Sequence, residues 1–284
     1  MNFEKIGVVG SGIMGSGVAE VAASTGAAVL VCSRTTERAD AVLVTIDRSL
    51  ARQVDKGKLD VETAAAIRQR ISVTTKLRDL SESDFVMETV VEDLAVKLEL
   101  FATLSTIVGP TTVLATCTST LPVIDLAMQV AHPERVCGVH FFNPVTTMAL
   151  VEVIRPISAS DATIAAATAF VLACGKEPIE VKDQAGFIVN ALLFPYLNNA
   201  VRILEHGVAT KEGIDAAMKG GCGFPMGPFA LLDLVGLDTS VSILDALYAE
   251  YADANYAPVP LLRRMVSAGQ LGRKSGVGFY QYQK

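Results

Sequence analysis

The chain has 284 residues, is 51% hydrophobic, lacks Trp and carries a formal charge of −6. That length suffices for one large core or two smaller ones, and the acidic balance argues against a nucleic-acid partner. No apolar run is long enough to cross a bilayer and no signal peptide is expected, while five cysteines (Cys32, Cys117, Cys137, Cys174, Cys222) without CxxC spacing argue against zinc or disulfides and for a reducing cytoplasm.

The apolar run Ile6–Val9 ends in Gly10, Gly12 and Gly15, spaced GxGxxG, and a helical pattern continues through Ile13 and Met14 to Ala23. In such a turn the first Gly permits the bend and the second lets the backbone approach a pyrophosphate. The third lets helix and strand pack closely. Between a strand and a helix the motif reads as dinucleotide binding rather than a plain Gly-rich turn.

Strands are predicted at Lys5–Val9, Ala28–Cys32, Ile71–Thr74, Asp84–Thr89, Thr112–Thr116 and Arg135–Phe142. Helices are predicted at Gly12–Thr25, Leu94–Val108 and Pro122–Val130. This alternation implies a mostly parallel α/β sheet with helices on both faces. The stretch Thr36–Arg70 exceeds one crossover helix and reads as two helices broken near Lys56-Gly57-Lys58, projecting from the sheet. Ala149–Arg155 and Glu177–Val181 read as further strands around a helix at Asp161–Cys174.

After Asp183-Gln184-Ala185-Gly186 strands disappear, and helices are expected at Phe187–His206, Lys211–Lys219, Phe229–Val235, Asp238–Tyr251 and Pro260–Ala268. A boundary near Asp183 divides a dinucleotide-binding domain, 1–183, from an all-α domain, 184–284. The second is apolar for its size, which suits a homodimer interface or a surface packed only on the first domain.

Where such folds usually end the second strand in an acidic residue that bonds the ribose, this chain has Ser33-Arg34. Ser can donate to a 2′-phosphate and Arg can pair with it, so NADP(H) is favoured over NAD(H). The other reading is an exposed Arg at a strand end, with NAD still used.

Three histidines are available as a general base. His132 lies in a polar turn and His206 near a helix end, and both read as surface residues. His140 stands in Gly138-Val139-His140-Phe141-Phe142-Asn143-Pro144, at the carboxyl end of an apolar strand, where open α/β sheets bind ligands. By position alone it is a catalytic group or a satisfied core histidine. Glu152 interrupts the apolar run Ala149–Ile154 and is expensive to bury unpaired. An imidazole on a neighbouring strand would pair it, and the alternative is a solvent-facing position on an edge strand. Ser119, in Cys117-Thr118-Ser119-Thr120, reads alone as a helix cap. Asn190, amid apolar neighbours, ties helix to sheet or binds substrate.

Together these segments resemble the short-chain 3-hydroxyacyl-CoA dehydrogenase family, most closely its bacterial 3-hydroxybutyryl-CoA members, over essentially the whole chain. The glycine turn, Val91-Glu92-Asp93-Leu94-Ala95-Val96-Lys97, His140–Pro144, Asp183–Asn190, Pro225-Met226-Gly227-Pro228, Asp233–Asp238 and Lys274–Tyr280 carry the likeness. The resemblance implies a Rossmann-like, doubly wound domain with a helical hairpin insertion and a helical C-terminal dimerisation domain. It implies an (S)-3-hydroxyacyl thioester substrate, held in a cleft between domains. It also implies His140 as general acid/base, Glu152 as its partner, and Ser119 and Asn190 on the C3 oxygen and acyl chain. Glu92 and Lys97 would lie near the cofactor ribose and nicotinamide, with Asn143 also on the cofactor side. Cys117 replaces an Asn that in the family lies beside the nicotinamide, and a thiol is a poor donor and acceptor.

A 3-hydroxyacyl-CoA dehydrogenase acting on short chains, including use as an NADPH-dependent acetoacetyl-CoA reductase, is the leading expectation. A relative acting on an acyl carrier protein and a non-catalytic dinucleotide-binding protein are the alternatives. Lys56, Lys58 and Arg52 could meet a CoA phosphate or an acidic carrier, or form a solvated helix face.

Overall fold

The computed structural model describes residues 3–282. The chain divides into two compact units, Met1–Asp183 and Gln184–Lys284. In the first, β1 (Lys5–Val9), α1 (Ile13–Ser24) and β2 (Ala28–Cys32) follow one another directly. The hairpin α2 (Thr36–Asp55) and α3 (Val61–Gln69) precedes β3 (Ile71–Thr74) and β4 (Phe85–Glu88). Then come α4 (Leu94–Ile107), β5 (Val113–Thr116), α5 (Val123–Ala127), β6 (Val136–Phe141), β7 (Leu150–Arg155), α6 (Asp161–Ala173) and β8 (Glu177–Lys182).

The strands form one eight-stranded sheet in the order β3-β2-β1-β4-β5-β6-β7-β8. Pairing is parallel from β3 to β6, antiparallel between β6 and β7, and parallel again between β7 and β8. This is the Rossmann-like, mostly parallel sheet that the alternating pattern predicts. Strands buried on both faces, such as β4 to β6, need helices on each side, and their continuous Val, Leu, Met and Phe runs supply the apolar surface. Phe85 and Phe170 stack at 4.6 Å between ring centres, with Phe3 edge-on to both.

The hairpin helices begin at side-chain caps. Thr35 accepts from the Arg38 N–H and Asp60 from the Thr63 N–H. Such caps satisfy donors that a helix start leaves open, typically for about 1 kcal/mol each.

The second unit contains α7 (Val189–Glu205), α8 (Lys211–Cys222), α9 (Pro228–Val235), α10 (Leu237–Tyr251) and α11 (Pro260–Ser267) around its own core of Phe194, Leu197, Phe229, Leu232, Leu244 and Leu262. Helix α8 runs one turn past its expected end and stops at Gly223, whose φ of 69° closes it. Helix α7 starts at Val189, two residues later than expected, because Phe187 takes a φ of 49°. Asp233 is buried and accepts from the Phe279 and Tyr280 N–H groups and the Tyr282 hydroxyl, tying the chain's last described turn to α9. No helix among the described residues is long and apolar enough to cross a membrane.

Candidate active site

The glycine turn joins β1 to α1. Gly10 has a φ of 128°, and a Cβ there would lie 2.5 Å from the Thr89 hydroxyl. A Cβ on Gly15 would lie 2.1 Å from the Gly10 carbonyl oxygen. A Cβ on Gly12 would meet nothing within 4 Å. Packing therefore explains the first and third glycines and not the second. The open space beside Gly12 is a cradle that a side chain would fill. Gly12 also begins α1 without a side-chain cap, so first-turn N–H groups are available to an anion. Ile13, 74% exposed, and the half-buried Met14 form that first turn. These residues fit a dinucleotide.

At the end of β2 the Ser33 N–H donates to the Thr74 carbonyl, and Arg34 is exposed. The Ser33 hydroxyl is buried and has no hydrogen-bond partner among the described residues. A buried hydroxyl left so is costly, and a ligand oxygen would satisfy it.

His140 is the penultimate residue of β6, and Glu152 lies directly opposite it in the antiparallel ladder with β7. Their side chains meet with Nδ1 to Oε2 at 2.7 Å, and both residues are buried. A carboxylate only accepts, so Nδ1 carries the proton and donates, leaving Nε2 with its lone pair in the neutral ring. Nε2 stands 3.2 Å from the Ser119 hydroxyl. The Phe142 ring packs 4.6 Å from the imidazole. Because β6 and β1 run in the same direction, His140 and the glycine turn occupy the same edge of the sheet. Glu152 is thus not solvent-facing, since β8 rather than β7 forms the sheet edge.

Ser119 does not cap the helix that follows. The Asp183 carboxylate does, accepting from the Val123 and Ile124 N–H groups at 3.1 and 2.7 Å. The donors lie 60 and 59 residues before the acceptor, and no local signal announces the contact. The helix itself is shorter than expected, Val123–Ala127.

Behind Ser119 lies a buried network. Lys97 Nζ donates to both Glu88 carboxylate oxygens at 2.9 and 2.8 Å and to the Cys117 carbonyl at 3.3 Å. It also stands 3.5 Å from Glu92. Lys97 is fully buried and presents no surface of its own to a ligand. Glu88 is a member that sequence reasoning missed; a lone carboxylate closing an apolar strand is its only trace. Burial pushes the Cys117 thiol up to about 12.

Asn143 follows β6, is exposed, and precedes Pro144 through a cis peptide bond. Asn190 is buried on the first turn of α7 in the second unit. His132 and His206 are exposed, as the sequence predicts. Lys56 and Lys58 are exposed at the hairpin turn. Arg52 lines a cavity of 270 Å³ with Ser16, Glu20, Arg48, Ser49 and Asn143.

The glycine turn, the parallel sheet and its topology define the first unit as a Rossmann-type dinucleotide-binding domain. The chain matches the 3-hydroxyacyl-CoA dehydrogenase NAD binding domain over residues 5–184 and the 3-hydroxyacyl-CoA dehydrogenase C-terminal domain over residues 186–282. It belongs to the 3-hydroxyacyl-CoA dehydrogenase family and is an oxidoreductase, which sets aside a non-catalytic role. The 3-hydroxybutyryl-CoA dehydrogenase of Clostridioides difficile is 44% identical over 280 residues, covering 99% of this chain and 100% of that protein. That of Mycobacterium tuberculosis is 45% identical over 285 residues, covering 98% of each. The crystal structure of the (S)-3-hydroxybutyryl-CoA dehydrogenase from Ralstonia eutropha superposes with a TM-score of 0.97 at 40% identity, covering 99% of this chain and 100% of that one.

Proposed function

We propose that this enzyme interconverts short-chain (S)-3-hydroxyacyl-CoA and 3-ketoacyl-CoA, such as 3-hydroxybutyryl-CoA and acetoacetyl-CoA, with NADP(H) favoured over NAD(H). The observation that carries the reading is the Glu152–His140–Ser119 chain at the sheet edge that bears the glycine turn. The activities by which these relatives are named support the substrate class.

In oxidation His140 Nε2 accepts the C3 hydroxyl proton, and in reduction it returns that proton to the oxygen. Glu152 holds the ring tautomer and balances the imidazolium that forms. Ser119 donates to the C3 oxygen, and Asn190 helps hold the acyl chain. Gly10, Gly12, Ile13, Met14 and Gly15 hold the pyrophosphate end of the cofactor, Ser33 and Arg34 its adenosine end, and Glu92, Cys117 and Asn143 border the nicotinamide end, with the buried Lys97 behind them. When bound, the nicotinamide supplies the carbon that exchanges hydride with C3.

The preference for NADP(H) is supported by the unpartnered Ser33 hydroxyl beside Arg34 and by the lack of an acidic residue at that turn. A homodimer through the second unit is supported by Leu192 and Ile203, three turns apart on one face of α7 and both exposed. The enzyme is proposed to work in the cytoplasm.

His140→Ala tests the assignment. With acetoacetyl-CoA and NADPH, kcat is expected to fall by about 10²–10⁴-fold, with the cofactor dissociation constant unchanged. Near-normal turnover would remove His140 from the reaction.

A further inference from the structure

The network behind Ser119 is more than a buried ion pair. Glu88 is fully buried and is satisfied on every side: its oxygens accept from Lys97, from the Val90 N–H at 2.6 Å and from the Thr116 hydroxyl at 2.6 Å. Lys97, also without exposed surface, reaches past Glu88 to the Cys117 carbonyl and to Glu92. Glu92 in turn accepts from the Thr118 hydroxyl at 2.6 Å, the Ser119 N–H at 2.8 Å and the Thr120 N–H at 3.3 Å. Through the Cys117 carbonyl and Glu92 this path ends at the turn 117–120, and that turn carries the hydroxyl that meets His140.

Desolvating two charges is expensive, and a buried pair often adds little stability over well-packed apolar side chains. A pair confined to holding α4 on β4 would be replaceable. This one also holds the Cys117 carbonyl and a second carboxylate, and that carboxylate fixes the next three residues of the turn.

We infer that Lys97, braced by Glu88, is a positioning residue: it clamps Glu92 and the Cys117 carbonyl so that the turn presents the Ser119 hydroxyl to His140. Lys97 touches no reacting atom in this role. The inference rests on the reading of Ser119 and His140 as the reacting site.

The test separates clamping from charge neutralisation. The double variant Glu88→Gln/Lys97→Met leaves no uncompensated buried charge, and the Gln amide oxygen can still accept from Val90 or Thr116. Neutralisation alone predicts wild-type kcat with acetoacetyl-CoA and NADPH. Clamping predicts a kcat lower by about 10- to 100-fold, the loss that a misplacement near 1 Å produces, with the KM of NADPH unchanged. It further predicts that the same double change costs less than about twofold in a Ser119→Ala background, because residues acting through one another are not additive. Wild-type kcat, an equal loss in both backgrounds, or a loss confined to the KM of NADPH would overturn the inference. Where the double variant does not fold, Glu92→Ala, which removes the acceptor of the turn's three donors at a partly exposed side chain, is read by kcat and by the Ser119→Ala background alone. Should Ser119→Ala itself keep full kcat, the reading of the reacting site fails instead, and the two failures are told apart.

Discussion

At the residue scale, burial divides the chain's polar groups into those that act and those that are inert. Burial pushes the Cys137 and Cys174 thiols, like that of Cys117, up to about 12, and burial with the charge of Asp79 pushes Cys32 up to about 11. Thiolate is the reactive form, so these four are almost wholly protonated at pH 8. Cys222 is exposed on α8. Iodoacetamide at pH 8 is expected to label Cys222 first, read by peptide mass mapping; early labelling of Cys117 would contradict the raised pKa of its thiol. At Ser33-Arg34 the expectation concerns charge. Loss of a hydrogen bond to a charged group costs about 1.5–3 kcal/mol, so Arg34→Ala should weaken NADPH by roughly 10- to 100-fold and NADH little. Equal losses, measured by fluorescence titration of both cofactors, would end the case for 2′-phosphate recognition.

At the element scale, helix α1 carries a carboxyl where its inward face calls for an apolar residue. Glu20 is buried against α2, where the Ser49 hydroxyl and the Gln53 amide bond it. Burial nevertheless pushes its carboxyl above the usual carboxylate range. The folded chain then binds this proton more tightly than the unfolded chain, and stability falls as pH rises from the ordinary carboxylate pKa through the raised one. Glu20→Gln removes that penalty. Its Tm should exceed wild type by a few degrees at pH 7.5, and the gap should close at pH 4. A gap independent of pH would show that Glu20 acts only by packing. Most elements were legible in the sequence to within a residue or two, because buried parallel strands are short apolar runs and the helices between them keep their caps. The His140–Glu152 pair was legible as an option, since a lone carboxylate in an apolar strand demands a partner. The cap that Asp183 places on α5 and the clamp through Glu88 were not. Each depends on which distant strand ends meet, and neighbouring residues carry no trace of that.

At the scale of the whole molecule, each unit has a core of its own. If the second unit pairs with a copy of itself, light scattering should return twice the chain mass; a single-chain mass at working concentration would count against the proposed dimer. Cofactor at a hundred times its dissociation constant should stabilise the folded chain by about 2.7 kcal/mol and so raise its melting point. That rise should come at lower concentrations of NADPH than of NADH. The antiparallel joint between β6 and β7 also bears on how such a molecule can vary over time. Side chains alternate across a strand, so one residue gained or lost inside either strand would turn His140 and Glu152 to opposite faces of the sheet. The link between them, residues 142–149, is under no such parity. Length changes tolerated by descendants of this chain are expected to collect there, with both strands held to a constant count.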